Sequence, residues 1–524
     1  MRTRRDRRPV EGSPRIGWWR SYSTLPECWN RQDATRRQDF CVFLGVLWRL
    51  GGSKDPAFGQ RTPPPRIGPR AWARGLLLAL LSLSPLAGAG DAPRRALAAP
   101  MEQRGAPGMS PRPRLQLDRA AYAERLRAMW IGACIANWTG LRTEGVRIER
   151  PFFTDADWGK PLGRGGAPID FVLLDPCPAD DDTDIEYVYL HLMTEAGTLF
   201  LSPERIRDGW RAHINDFIWV SNRRARDLLE RGVLPPATSD PALNPDALQI
   251  DAQLTTEIFG ALAPGMPELA LRIADLPIRT TARDHAAHAA QFHVLLFSLA
   301  ATVDLERPRR QEIVRIVREA RSYLPAESKA AEVIDFVLSA YLSTSDRDDW
   351  ERARDAIADR YQERASAHGF VYRGFTESAI NLATATLALL FGEGSFRRTV
   401  QIGTLSGWDS DNGTATMGSL VALIGGMEEL RRAFPGARLS DRYRIHRTRP
   451  TLPDRLPRDR EAEDTFTDVA TRMAALVDLA VREGGGQVEP TRWVVPPRPR
   501  DGAGPSARAA PGSEPRPRAP RSAR

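Results

Sequence analysis

Residues 179–193, ADDDTDIEYVYLHLM, and residues 407–426, GWDSDNGTATMGSLVALIGG, decide how this chain is read. Each packs carboxylates into a few positions and then runs into an apolar pattern of helical period. In the first, Ile185, Val188, Tyr189 and Leu192 recur at three- and four-residue spacing, which predicts a helix opening at the aspartates. A helix N-terminus has unpaired N–H groups and a dipole that favours negative charge, which accounts for one or two acids. Three adjacent carboxylates, Asp180, Asp181 and Asp182, repel one another unless a cation neutralises them. Asp409 and Asp411, two apart in a turn, can point toward one place. Hard oxygen ligands gathered from two helix starts suit Mg²⁺ or Ca²⁺. Helix caps plus solvated acids explain the same letters, and the residues alone leave both readings open. A calcium-binding EF-hand is excluded. Counted from Asp409, the fifth position is Gly413 and the twelfth is Leu420, where the loop needs an oxygen ligand and a glutamate.

The formal charge of the 524 residues is +8, but it is unevenly placed. Residues 1–100 hold 18 Lys/Arg against 7 Asp/Glu, and residues 486–524 hold 8 against 3. The segment between them is therefore acidic, with a balance of −8. That argues against a basic nucleic-acid groove in the folded part and suits a site that holds cations.

Residues 1–65 read as an unstructured leader, which a start site assigned too early would explain. Residues 66–98 have the pattern of a secretory signal peptide: Arg66, Arg70 and Arg74, an apolar run from Gly75 to Leu83, then small residues at Ala87-Gly88-Ala89 or Ala96-Leu97-Ala98. The expectation is a secreted or periplasmic protein with no transmembrane helix in the mature chain, or a cytoplasmic one if the leader does not act. Cys28 and Cys41 fall in this leader. Cys134 and Cys177 can be read as one disulfide or as two buried thiols. Residues 498–524, rich in Pro and Arg, are expected to be disordered.

The middle is dense in helical patterning and poor in strand signals. RRQEIVRIVREARSYL, RDAIADRYQERASAHGF, SAINLATATLALLFGEGSF and DVATRMAALVDLAVREGG all place apolar residues at helical spacing, and several end at glycine. Ala415, Gly418, Ala422 and Gly425 fall on nearly one face, as close helix–helix packing requires. The reading is one large all-α domain over residues 115–497, its helical body ending near Asp478 and a short extension reaching Pro497.

The two acidic stretches resemble the signature segments of the ADP-ribosylglycohydrolase family, which includes the dinitrogenase-reductase-activating glycohydrolases. Members show a Thr-Asp-Asp-Thr stretch opening one helix and an acidic Trp/Gly-Asp-x-Asp turn opening another more than a hundred residues later. Asp181 and Asp182 match the first pair, with Thr183 after them; Gly407, Asp409 and Asp411 match the second. RAMWIGACIANWTGLRTEG, beginning at Arg127, is similar to the opening helix and its exit, with Glu144 where members place a metal-site glutamate. The similarity runs roughly from Tyr122 to Met427. It implies an all-α fold, two Mg²⁺ (or Mn²⁺) ions, and hydrolysis at the anomeric carbon of small-molecule or protein-linked ADP-ribose. By that resemblance Asp180, Asp181, Asp182, Asp409, Asp411 and Asn412 are metal ligands, and Glu144 and Asp182 carry acid/base chemistry. Candidate substrate contacts are Trp138, Asp251, Gln253, His285 and Trp408.

Several positions depart from the family pattern. Asp180 replaces a threonine, Asn137 stands where many members have Asp, and Ser410 and Asn412 replace two threonines. RTTARDHAAHAAQF lacks the usual Thr/Ser-His pair, although His285 is close. A zinc site on His285, His288 and His293 is disfavoured because the third does not share the face of the first two. Two other functions stay open: a secreted glycosidase for a different N- or O-glycoside, and a non-catalytic ADP-ribose-binding module. The residues do not fix the oligomeric state.

Overall fold

Residues 114–497, apart from 215, 457 and 460, are described by a computed structural model. The leader, the signal-like segment and the C-terminal tail lie outside the described residues, which all fall within one compact unit. In chain order the strands and α-helices are β1 Gln116–Asp118, α1 Arg119–Gly140, β2 Cys177–Pro178, α2 Asp181–Ala196, α3 Pro203–His213, α4 Val220–Glu230, α5 Asp251–Thr255, α6 Ile258–Leu262 and α7 Pro267–Thr281. There follow α8 Asp284–Ala300, α9 Arg309–Ser322, α10 Lys329–Ser343, α11 Trp350–Ala358, α12 Ser378–Phe391, α13 Phe396–Ser406, α14 Ser410–Ala433, β3 Arg442–Arg444, β4 Asp464–Thr465, α15 Phe466–Glu483, β5 Gln487–Val488 and β6 Arg492–Val494. The fold is mostly helical, as expected. The last helix passes Asp478 and runs to Glu483, and the extension beyond it is strand.

Helices α1 and α14 form the central pair. Helix α1 starts where Asp118 accepts the Ala121 N–H at 2.8 Å, and it is buried on most of its circumference through Leu126, Met129, Trp130, Ile131 and Ile135. Small residues let the two backbones approach. A Cβ built on Gly418 would lie 2.6 Å from the Ala136 Cβ, and one on Gly132 would lie 2.6 Å from the Ala422 Cβ. Overpacking such a contact costs roughly 1–3 kcal/mol. Two of the four small residues picked out on α14, Gly418 and Ala422, thus face α1. Helices α12 and α13 pack on α14, and α15 packs on α1.

Two small three-stranded sheets tie down the ends of this core. One has the order β1-β6-β5, antiparallel throughout, with Gln116 opposite Val494. The other has β3 between β2 (parallel) and β4 (antiparallel). It continues one residue further, where the Ala179 N–H donates to the Arg444 carbonyl at 3.0 Å. That bond fixes the backbone immediately ahead of Asp180. Cys134 on α1 and Cys177 on β2 are both buried free thiols, and Cys177 Sγ donates to the Leu174 carbonyl at 3.3 Å. No helix among the described residues is long and apolar enough to cross a membrane.

Candidate active site

At the start of α2 the Asp180 side chain accepts the Asp181 N–H at 3.2 Å, and the Thr183 hydroxyl accepts the Asp180 N–H at 3.3 Å. This reciprocal capping stops the helix from beginning earlier. Asp182 is held from both sides: Oδ1 accepts from the Thr183 N–H at 2.6 Å and Oδ2 from Asn137 Nδ2 at 3.3 Å. At the start of α14, Gly407 (φ 88) and Trp408 (φ 57) turn the chain through the left-handed region. The Asp409 N–H then donates to Asn381 Oδ1, and Asn412 Nδ2 donates to Asp409 Oδ1, each at 3.2 Å.

Glu144 reaches the same place from the loop after α1. The Trp408 carbonyl accepts the Gly145 N–H at 3.0 Å, locking the glutamate's loop to the acidic turn. The Thr143 hydroxyl lies 3.0 Å from that of Ser410, and Ser410 donates to the Gly140 carbonyl at 3.0 Å. Ser410, a departure from the family pattern, therefore stitches α14 to α1. Oxygens of Glu144, Asp409 and Asp411 all lie within 4.8 Å of one another.

The electrostatics join the two helix starts. Burial pushes the Asp411 carboxyl well above the usual range, and the charges of Glu144, Asp409, Asp180 and Asp181 raise it further. Asp181 is raised by burial and then by Asp180, Asp182 and Asp409. Asp409 is pushed up to about 7 by burial and Glu144, against hydrogen bonds from its neighbours. Meanwhile Asp411 Oδ1, Asn412 Oδ1 and Asn137 Oδ1 are buried with no hydrogen-bond partner among the described residues. A buried polar atom left unpaired costs roughly 1–3 kcal/mol. An all-oxygen donor set with excess negative charge and orphaned oxygens fits a hard divalent ion such as Mg²⁺ or Mn²⁺.

Three acids near this centre are not equivalent to the others. Asp184 is 2.9 Å from Arg449, and both side chains are fully buried. Burial holds Asp184 up at about 7 in spite of the arginine, and the pair is a structural strut beside the centre. Glu186 and Glu257, not singled out in the sequence, are buried and interact with Asp182. Glu257 accepts from the Thr416 hydroxyl at 2.7 Å and Glu186 from the Ile258 N–H at 2.8 Å. Burial and mutual repulsion raise Glu186 well above the usual range, and burial lifts Glu257 to about 7. Their sequence signal was faint: a single glutamate inside each of two apolar runs.

The substrate contacts expected from sequence fare unevenly. Trp408 is completely buried, its ring 5.3 Å from Phe152 and its N–H donating to Gln362 at 2.8 Å. It shapes the turn and does not line a cleft. Asp251 is buried, its oxygens accept from the Ser221 hydroxyl at 2.6 Å and the Asn222 N–H at 3.1 Å at the start of α4, and its charge adds to those that raise Asp409. Gln253 gives Nε2 to the Ser378 hydroxyl at 2.7 Å, while its Oε1 is buried without a partner among the described residues. His285 lies 3.6 Å from Glu377. His293 instead meets the Gln253 carbonyl at 3.0 Å, so the histidines do not converge on an ion. Trp138 is half-buried, donates to the Pro178 carbonyl at 2.9 Å and carries Arg447 on its face. Burial and the charge of Asp180 push the Asp182 carboxyl well above the usual range, although both its oxygens already accept hydrogen bonds.

A mostly helical domain with acids from two helix starts around one point is the architecture of a hydrolase in the ADP-ribosylglycohydrolase family. Residues 118–465 match the model of that family, and the chain belongs to it. A solved structure titled "ADP-ribosylglycohydrolase-related protein complex" is similar at 17% identity over 69% of this chain and 99% of that chain, with a TM-score of 0.40. No curated protein matches the chain.

Proposed function

We propose that this protein is a metal-dependent hydrolase that cleaves the bond between the anomeric carbon of ADP-ribose and a modified side chain. The observation that carries the reading is the meeting of Glu144, Asp409 and Asp411 beside Asp181, with buried oxygens of Asp411 and Asn412 left unpartnered. Asp180, Asp181, Asp182, Asp409, Asp411 and Asn412 would hold two Mg²⁺ (or Mn²⁺) ions. Such ions, when bound, supply Lewis acidity toward the ribose hydroxyls.

The chain's own groups account for the rest. The carboxylates favour the positive charge that develops at the anomeric carbon as the leaving group departs. Glu144 accepts a proton from water as the new C–O bond forms. The departing nitrogen or oxygen keeps the electron pair of the broken bond and takes up a proton. Arg164, 2.7 Å from Glu144, keeps that carboxylate aimed. The test is release of free ADP-ribose from ADP-ribosyl-arginine, ADP-ribosyl-serine and simple glycosides by the Mg²⁺-loaded protein. Release from a simple glycoside alone would move the assignment to another glycosidase, and binding of ADP-ribose without release would leave a binding module.

A further inference from the structure

We propose that Arg447 recognises the diphosphate of the substrate, an inference that rests on the ADP-ribose reading of the site. Arg447 lies three residues beyond β3, the strand whose pairing with β2 positions the start of α2. Its guanidinium carbon sits 4.8 Å from the centre of the Trp138 ring and 6.0 Å from that of Phe217. Phe217 holds a left-handed backbone (φ 53), and Arg449 reaches the carbonyls on either side of the Asp216–Phe217 link. A non-glycine residue in that conformation is strained and persists only where its surroundings over-determine it. The contacts that hold this backbone keep an aromatic ring beside Arg447.

The guanidinium is held but not consumed. Arg447 Nε is buried and has no hydrogen-bond partner among the described residues. Among the described residues the acid it pairs with is Asp180, at 3.6 Å, longer than a hydrogen bond. The other cations at the site are closer to their acids: Arg164 is 2.7 Å from Glu144 and Arg449 is 2.9 Å from Asp184. The Arg447 side chain is 28% exposed, so part of it is open to a ligand.

Charge shows why such a cation is needed. A diphosphate entering beside Asp180, Asp181 and Asp182 meets like charge, and two bound divalent ions offset only part of it. Arginine binds phosphate oxygens through paired N–H groups, and stacking on aromatic rings fixes the plane in which those groups point. Arg447 thus gives the site a preference for a phosphate-bearing ribosyl group over a plain glycoside.

Calorimetry on the Mg²⁺-loaded full chain tests this, with ADP-ribose and adenosine as probes. Arg447→Met should weaken ADP-ribose binding roughly tenfold to a hundredfold, the range for a hydrogen bond to a charged group. Adenosine binding should stay unchanged, and Arg447→Lys should fall between. Equal loss for both probes would make Arg447 a structural residue, and unchanged ADP-ribose affinity in Arg447→Met would overturn the proposal outright. Wild-type protein that binds no ADP-ribose would overturn the substrate reading itself, and the role of Arg447 with it. Retained helical circular dichroism in both variants separates these outcomes from misfolding.

Discussion

Gly140, the last residue of α1, lies so close to the backbone of Asp411 that a Cβ added to it would stand 2.7 Å from the Asp411 Cα. The end of one central helix is therefore pressed directly onto the acidic start of the other. Gly140→Ala forces them apart. We expect a loss of roughly 1–3 kcal/mol in stability by urea denaturation and weaker Mg²⁺ binding by calorimetry. A variant with wild-type stability and metal affinity would show that this contact does not set the site.

Metal binding should register as thermal stability. An ion that binds only the folded chain adds about 2.7 kcal/mol at a hundredfold excess over its Kd. Mg²⁺ should raise the melting temperature and EDTA should lower it. Asp409→Asn and Asp411→Asn each remove a charge from a crowded, buried set, so their metal-free forms should melt at or above the wild-type temperature while losing the Mg²⁺ response. Variants that keep the full response would make these acids simple helix caps.

Glu144→Gln separates chemistry from ligation. It keeps the shape of the side chain but removes the proton acceptor, so kcat should fall by about 10²–10⁴. Mg²⁺ affinity should suffer less than in Asp411→Asn, because Glu144 enters from a loop and is already paired with Arg164. A rate within a few-fold of wild type would remove it from the proton-transfer role.

His293 carries a pH dependence that is independent of the metal. Burial pushes its pKa down to about 4, with a smaller upward pull from the Gln253 carbonyl. In the unfolded chain the imidazole binds a proton below about 6.5. Between those values the unfolded state holds more protons, so stability is full above the higher value and is lost as pH falls toward the lower one. The loss attributable to this residue is at most about 3 kcal/mol. The difference in urea-derived stability between wild type and His293→Gln should change over that window, and a constant difference would count against a neutral buried imidazole.

What the letters reveal is set by range. Asp180 to Asp182 and Asp409 to Asp411 were readable because local rules, capping and helical periodicity, explain some of those acids but not all. Ser410 reads as a simple departure, since its partners Thr143 and Gly140 are some 270 positions away. The same holds for Asp184, whose neutralising partner Arg449 follows 265 residues later. For Trp408 and Asp251, an aromatic or acidic letter does not show whether its polar atoms are already occupied. Only the fold supplies Gln362 for the one and the start of α4 for the other.

The pairing of β1 with β6 puts Gln116 opposite Val494. During synthesis the first strand leaves the ribosome without a neighbour and waits for almost the whole domain to follow. The helices between can assemble as they emerge, but this sheet closes last. Joining its two ends by a short peptide and opening the chain in an exposed loop should therefore give a circularly permuted protein in which that seam is a local hairpin.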